Sequence, residues 1–288
     1  MLKRLAAFYL LLLTATLSAQ VIETSPESQK SDQYFNSYIL KAVEKINTNH
    51  ALLGYSINAA LTHDLPYSNG EVVRASKLAP YTMCVAAQLE IILTAYDIYA
   101  QETGDYTIYD YLPRKSFESL TIKDLRGHLW VNHDFNSYGT ADALINFGMG
   151  KRVPFEKLTS GSFVNINRTN KTGHAVTFIG FINANGKIQE AYNNSVIGFK
   201  YFSSQGKAES GGFDYRYAVF SKFACPETLP YKRDCNVIYS ANQNLLNTGM
   251  MMAPAYWTHT SLISDNKESS MKETVFDGQY FNGVTTDD

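Results

Sequence analysis

Pro80-Tyr81-Thr82-Met83-Cys84-Val85-Ala86-Ala87-Gln88-Leu89-Glu90-Ile91-Ile92-Leu93 is the stretch on which the reading of this chain turns. Val85, Leu89, Ile92 and Tyr96 recur at helical spacing, with Ala86, Leu93 and Ala100 beside them. So wide an apolar face predicts a central, buried helix. Thr82 is placed to cap it, Pro80 marks the entry and Gly104 the stop. Cys84 then falls in the first turn, where backbone N–H groups point outward and the helix dipole favours negative charge. A thiol there ionises more readily, and the thiolate is the nucleophilic form. A small core residue would read the same way, because cysteine outside disulfides is often fully buried.

Working outward, the chain has 288 residues, 45% hydrophobic and 18% charged, which suits one large globular domain or two small ones. A net charge of −2 gives no basic footprint, so nucleic acid is not an expected partner. Met1-Leu2-Lys3-Arg4 is a basic start, Leu5 to Leu13 is apolar and Thr14 to Ala19 is small and polar. That order predicts a signal peptide cleaved after Ala19, and so a periplasmic or extracellular protein with no membrane contact after cleavage. The apolar run is too short to span a bilayer comfortably, and no later stretch has the length and hydropathy of a membrane helix. An oxidising compartment favours disulfides. Of the three cysteines, Cys225 and Cys235 bracket a short loop with Pro226 and Pro230 and are the natural pair, which leaves Cys84 as the odd thiol.

Along the chain, residues 20–33 are polar. Gln33 to Ile46 reads as an amphipathic surface helix, and His50 to Leu65 as a second, weaker one. Leu120 to Leu129 and Thr140 to Phe147 are two short helices, the last ended by Gly148-Met149-Gly150. The period then changes from helical to alternating. Phe163 to Asn167 and His174 to Ile182 read as strands, and Asn183-Ala184-Asn185-Gly186 as a hairpin turn. Lys187 to Tyr192 is the return strand, followed by strands at 197–202 and 213–220. Helices first and an antiparallel meander second predict an α+β fold. The organisation read from this is a signal peptide (1–19), a helical segment (20–70), a catalytic domain (71–222) and a C-terminal extension (223–288). After Ser221 the apolar residues have no period, and the polar stretch from Ser264 reads as partly disordered.

His174 opens its strand behind Gly173. With the turn centred between Ala184 and Asn185, position 174 faces position 195, which puts Asn194 and Ser195 beside the ring. A nucleophile at a helix head, a base on a strand and an amide on the next strand make up a generalised catalytic triad. Cys84, Gly173-His174-Ala175-Val176 and Asn194-Ser195, in that order, resemble papain-like cysteine hydrolases, a group that includes the NlpC-type and CHAP-type cell-wall amidases. Gly212-Phe213-Asp214-Tyr215 resembles the strand that closes their barrels. The resemblance spans about residues 75–222 and implies a papain-like fold, with a nucleophile-bearing helix packed on an antiparallel half-barrel. It also implies Cys84 as nucleophile, His174 as base and Asn194 as orienter, with no cofactor and no metal. The chain departs from that pattern in places. No Gln or Asn stands between Leu78 and Met83 to donate to an oxyanion, leaving Tyr81, Thr82 or Ser76 beside the Cys84 N–H. The His-to-Asn spacing is slightly long, and Ser204 and Gln205 are rival orienters.

Other constellations are weaker. His128 and His133-Asp134 are five apart rather than at the helical metal spacing, with His63-Asp64 in reserve. No Gly-x-Ser-x-Gly elbow is present, and Gly148-Met149-Gly150-Lys151 follows a helix rather than a strand. The expectation is therefore an exported thiol hydrolase cleaving amide bonds, with peptidoglycan stem peptides as substrate by analogy. A secreted protease acting on proteins is an alternative. A non-catalytic exported module on the same scaffold, binding peptide or glycan, is another.

Overall fold

The computed structural model describes residues 33–67, 70–111, 131–132, 137–227, 232–258 and 286–287. The signal peptide, Leu120 to Leu129, and the alternative histidines His128 and His133 with Asp134 lie outside these residues, as does most of the stretch after Ser264.

In chain order the elements are α1 (Asn36–Asn49), β1 (Leu65–Pro66), β2 (Val72–Val73) and α2 (Cys84–Thr103). Then come β3 (Val131–Asn132), β4 (Ser137–Tyr138), α3 (Thr140–Asn146) and β5 (Gly150–Arg152). The second half supplies β6 (Phe163–Asn167), β7 (Thr172–Ile182), β8 (Ile188–Gln189), β9 (Gly198–Gln205) and β10 (Gly212–Phe220). It closes with β11 (Arg233–Val237), β12 (Leu246–Met251) and β13 (Thr286–Asp287). The main sheet runs β11-β10-β9-β7-β6-β12-β5, with β8 and β13 also pairing to β7. It is antiparallel except where β11 meets β10 and β13 meets β7.

α2 is the element everything else packs around. Every residue from Cys84 to Asp97 is buried, the polar Gln88, Glu90, Thr94 and Asp97 with the wide apolar face. Gly104 ends it in the left-handed conformation at φ 75°, where a side chain would be strained. Its cap is not Thr82. Met83 holds that position in an extended conformation without a side-chain cap, and the Thr82 carbonyl instead receives the Ser204 hydroxyl at 3.1 Å. α1 lays Ile39, Ala42, Val43 and Ile46 against α2, one turn apart. Lys41–Glu102 (2.5 Å) and Lys45–Asp97 (3.2 Å) join the two helices at the rim.

The stretch from His50 to Leu65 forms no helix. Leu52, Gly54 and Leu61 take positive φ, and the backbone is stitched elsewhere. Leu52 N–H donates to Phe213, Gly54 to Gly211 and Tyr55 to Ala208, so the segment lashes the β9–β10 turn to the helical layer. Its Thr62 amide (2.8 Å) and hydroxyl (2.6 Å) satisfy Glu90, a carboxylate of α2 buried in that layer.

Two cores flank the sheet. One joins α1 and α2 to Phe163, Ala175, Phe202 and Phe213. The other lies on the opposite face and is rich in aromatics, with Phe155, Phe178, Phe181, Phe199 and Phe220 in contact. The fold is α+β with a mostly antiparallel sheet. The region set apart as a C-terminal extension supplies β12, which enters the sheet between β6 and β5. Cys225 and Cys235 form a disulfide that ties β11 to the preceding loop. Among the described residues, no helix is long and apolar enough to cross a membrane.

Candidate functional site

Cys84 is the first residue of α2 and is fully buried, in the core shared with Met83, Ala175 and Phe202. Gln88, one turn further along, ties this helix head to the sheet. Its Nε2 donates to the Ala175 carbonyl (3.2 Å), to Ser203 Oγ (3.3 Å) and, at 3.4 Å, to the carbonyl of Cys84. Its Oε1 accepts from Thr177 Oγ1 at 2.7 Å. The β7–β9 ladder runs from Ile182↔Gly198 to Thr177↔Phe202 and stops there. Gln88 occupies the split beyond that point, where Ser203 Oγ also donates to the Ala175 carbonyl at 2.7 Å.

His174 closes the same split from the other side. Gln205 Nε2 donates to the Asp214 carbonyl at 3.0 Å, so its Oε1 is the atom 3.0 Å from His174 Nε2. An amide oxygen only accepts, so the imidazole carries its proton on Nε2 and keeps a lone pair on Nδ1. Nδ1 is buried and, among the described residues, has no hydrogen-bond partner. Burial, reinforced by the Arg168 and Arg216 charges, pushes the His174 pKa down to about 3 against the opposing pull of Asp234 and Gln205. The ring is therefore neutral across the physiological range.

Cys84 and His174 occupy opposite faces of the sheet. Side chains alternate along a strand. Ala175 joins the α2 core and Thr177 reaches Gln88, whereas Val176 and Phe178 belong to the aromatic core. His174 is in step with the second pair. It lies opposite Ile166 of that core and packs edge-on against Tyr201, with ring centroids 5.7 Å apart. Beyond the ring lies a buried ionic group in which Arg168 donates to Asp234 at 2.9 Å and the Tyr201 hydroxyl to the same carboxylate at 2.6 Å. Burial works to raise the Asp234 pKa, but the Arg168 charge and the Tyr201 hydroxyl outweigh it and hold the carboxyl below its usual value.

Asn194 is not beside His174. It stands exposed in a turn. The β7–β8 hairpin pairs only Ile182 with Ile188 and Phe181 with Gln189, after which β9 takes over the strand. Ile197 hydrogen-bonds to Ile182, so Asn194 sits near the far end of β7. At about 3.3 Å per residue, that end is roughly 26 Å from His174. Of the rival orienters, Gln205 is the ring's partner, and Ser204 instead faces Thr82. Ser76 hydrogen-bonds to Ala60 N at 3.1 Å, within the segment before α2. Gln88, Arg168, Tyr201 and Asp234 escaped the sequence reading. Only Gln88 left a trace there, as the one amide a turn away from Cys84.

Beyond Gln205 the sheet end opens into a cleft of about 790 Å³ that borders Gly206, Lys207 and Arg216. Lys232 and the Ser56 and Ser210 side chains complete its polar lining, and Tyr55 and Ile57 give it an apolar wall. The His63-Asp64 pair lies elsewhere. His63 stacks on His50 with centroids 4.1 Å apart, and Asp64 pairs with Arg74. Among the described residues, no group of three or more His, Cys, Asp or Glu side chains is placed to hold a metal. Compared with protein-family models, curated proteins and solved structures, the chain matches none.

Proposed function

We propose that this chain is an exported binding module that holds peptide or glycan fragments in the cleft beside Gln205. One contrast carries this reading. The thiol and the imidazole are sealed on opposite faces of the sheet, whereas the cleft at the same end is open and lined by cations. Thiol catalysis needs sulfur and base within hydrogen-bond reach of each other and of substrate. Binding needs only the cleft, which falls in the size range of ligand pockets. Incubation of the mature protein with purified peptidoglycan fragments tests this. Wild type and Cys84→Ala are expected to retain the fragments equally and to release no new ones.

The hydrolase reading has one specific observation in its favour, the buried Nδ1 lone pair of His174 held in place by Gln205 at Nε2. That is the tautomer a general base requires. In this reading Cys84 attacks an amide carbonyl, in peptidoglycan stem peptides or in proteins, and His174 moves the proton once the split between β7 and β9 opens. Gln205 rather than Asn194 orients the ring. New peptide fragments that appear with wild type and vanish with Cys84→Ala would establish it over the binding reading.

A further inference from the structure

We infer that the ligand seated in this cleft is an acidic peptide anchored by a carboxylate on Arg216, an assignment that rests on the binding reading above. Arg216 lies on β10, two residues beyond the Asp214 carbonyl that fixes Gln205, and it lines the cleft. Its Nε is buried without a hydrogen-bond partner, and no side-chain hydrogen bond or ion pair forms at its guanidinium among the described residues. A planar guanidinium in that condition presents a fork that matches a carboxylate at two points.

The surroundings share that polarity. Lys207 and Lys232 line the same cleft, and among the described residues no carboxylate does. Glu209, the acidic residue next to this lining, sits beside Tyr81. Ser56 Oγ accepts from Asn58 N at 3.3 Å, which leaves its hydroxyl proton for a ligand. The Ser210 hydroxyl already donates to the Lys207 carbonyl at 2.9 Å and is not part of the anion site. Three cations and a hydroxyl donor therefore converge on a space much larger than a single ion. Tyr55 and Ile57 offer apolar surface for neighbouring side chains, which suits a peptide better than a bare phosphate. The cleft's lining residues Tyr55 and Ser56 adjoin Thr82, two residues before the buried Cys84, yet the site needs neither the thiol nor the imidazole.

Calorimetric titration of the mature full chain with N-acetyl-Ala-Glu-Ala bearing a free C-terminus, with its uncharged Ala-Gln-Ala amide, and with inorganic phosphate tests the assignment. The acidic peptide is expected to bind at least tenfold more tightly than the amide, and more weakly as salt is raised. Arg216→Gln should lose at least tenfold in affinity and Arg216→Lys part of that, each checked for an unchanged melting profile. Lys232→Gln, at an exposed position, should lose a smaller factor and guards against a folding defect at position 216. Equal binding of the two peptides, or of acidic peptide to wild type and Arg216→Gln, overturns the carboxylate anchor and leaves the binding reading standing. Phosphate binding as tightly as the acidic peptide also overturns it, in favour of a phosphate ligand. Absence of binding by both peptides and by peptidoglycan fragments removes the binding reading and the anchor together.

Discussion

His174 donates its Nε2 proton to Gln205 Oε1 over 3.0 Å, from one side of a split between two strands, while Cys84 stands on the other side of that split behind Gln88. The two groups that chemistry would join thus approach the same sheet end but lie on different faces of it. A relationship this specific has measurable consequences.

The first concerns pH. The folded-state pKa of His174, about 3, lies below the ordinary 6.5, so folding favours the unprotonated ring. Its contribution to stability is complete above about pH 6.5 and is lost as the pH falls toward 3. Urea unfolding of wild type should lose roughly 3 kcal/mol to this one group between pH 6.5 and pH 4. His174→Gln should start lower at pH 7 by about 1–3 kcal/mol and show a flatter profile over that range. Parallel profiles for the two proteins would mean that the ring titrates freely.

A second prediction isolates Gln205. Replacement by Leu leaves the ring N–H without an acceptor in a buried site, at a cost of about 1–3 kcal/mol. Replacement by Glu places a carboxylate against the ring, which favours imidazolium and raises the His174 pKa by a unit or more. Ring ¹⁵N shifts followed through a pH titration read both effects. An unchanged titration in Gln205→Glu would show that the contact does not hold the tautomer.

A third concerns Asp234, which accepts from both Arg168 and Tyr201. The Arg168 side chain is only 4% exposed, so Asp234→Asn strands a buried charge. The expected loss is about 3–5 kcal/mol by denaturant unfolding. A loss under 1 kcal/mol would mean that water reaches the pair.

Much of this architecture was legible from side-chain periodicity. The helix at Cys84–Thr103 with its Gly104 stop, the strands at Phe163–Asn167 and around His174, and the turn at Asn183–Gly186 all stand where the pattern put them. What failed was register. Sequence alone favours extending a hairpin from its turn, and that extension set Asn194 beside His174. The real return strand ends after two pairs, and the partner of His174 comes from the next strand. Strand faces were equally hidden, because β7 is an apolar run buried on both sides and the alternating Asn165 and Asn167 of β6 are themselves buried, so neither pattern says which residues meet α2. The region after Ser221 looked aperiodic for the same reason, since β12 is buried throughout its length. His50 to Leu65 misled through a weak helical pattern that its positive-φ positions and long-range backbone bonds override.

The most direct test is the rate at which iodoacetamide modifies Cys84 in the folded mature protein between pH 5.5 and pH 8, read by mass spectrometry. Cys84 is the chain's one cysteine outside the disulfide. The account predicts modification only at the pace of unfolding, no slower in His174→Ala than in wild type, with full reaction once urea is added. Fast labelling at pH 5.5 that slows in His174→Ala would contradict it, because only a thiolate held by that imidazole behaves so.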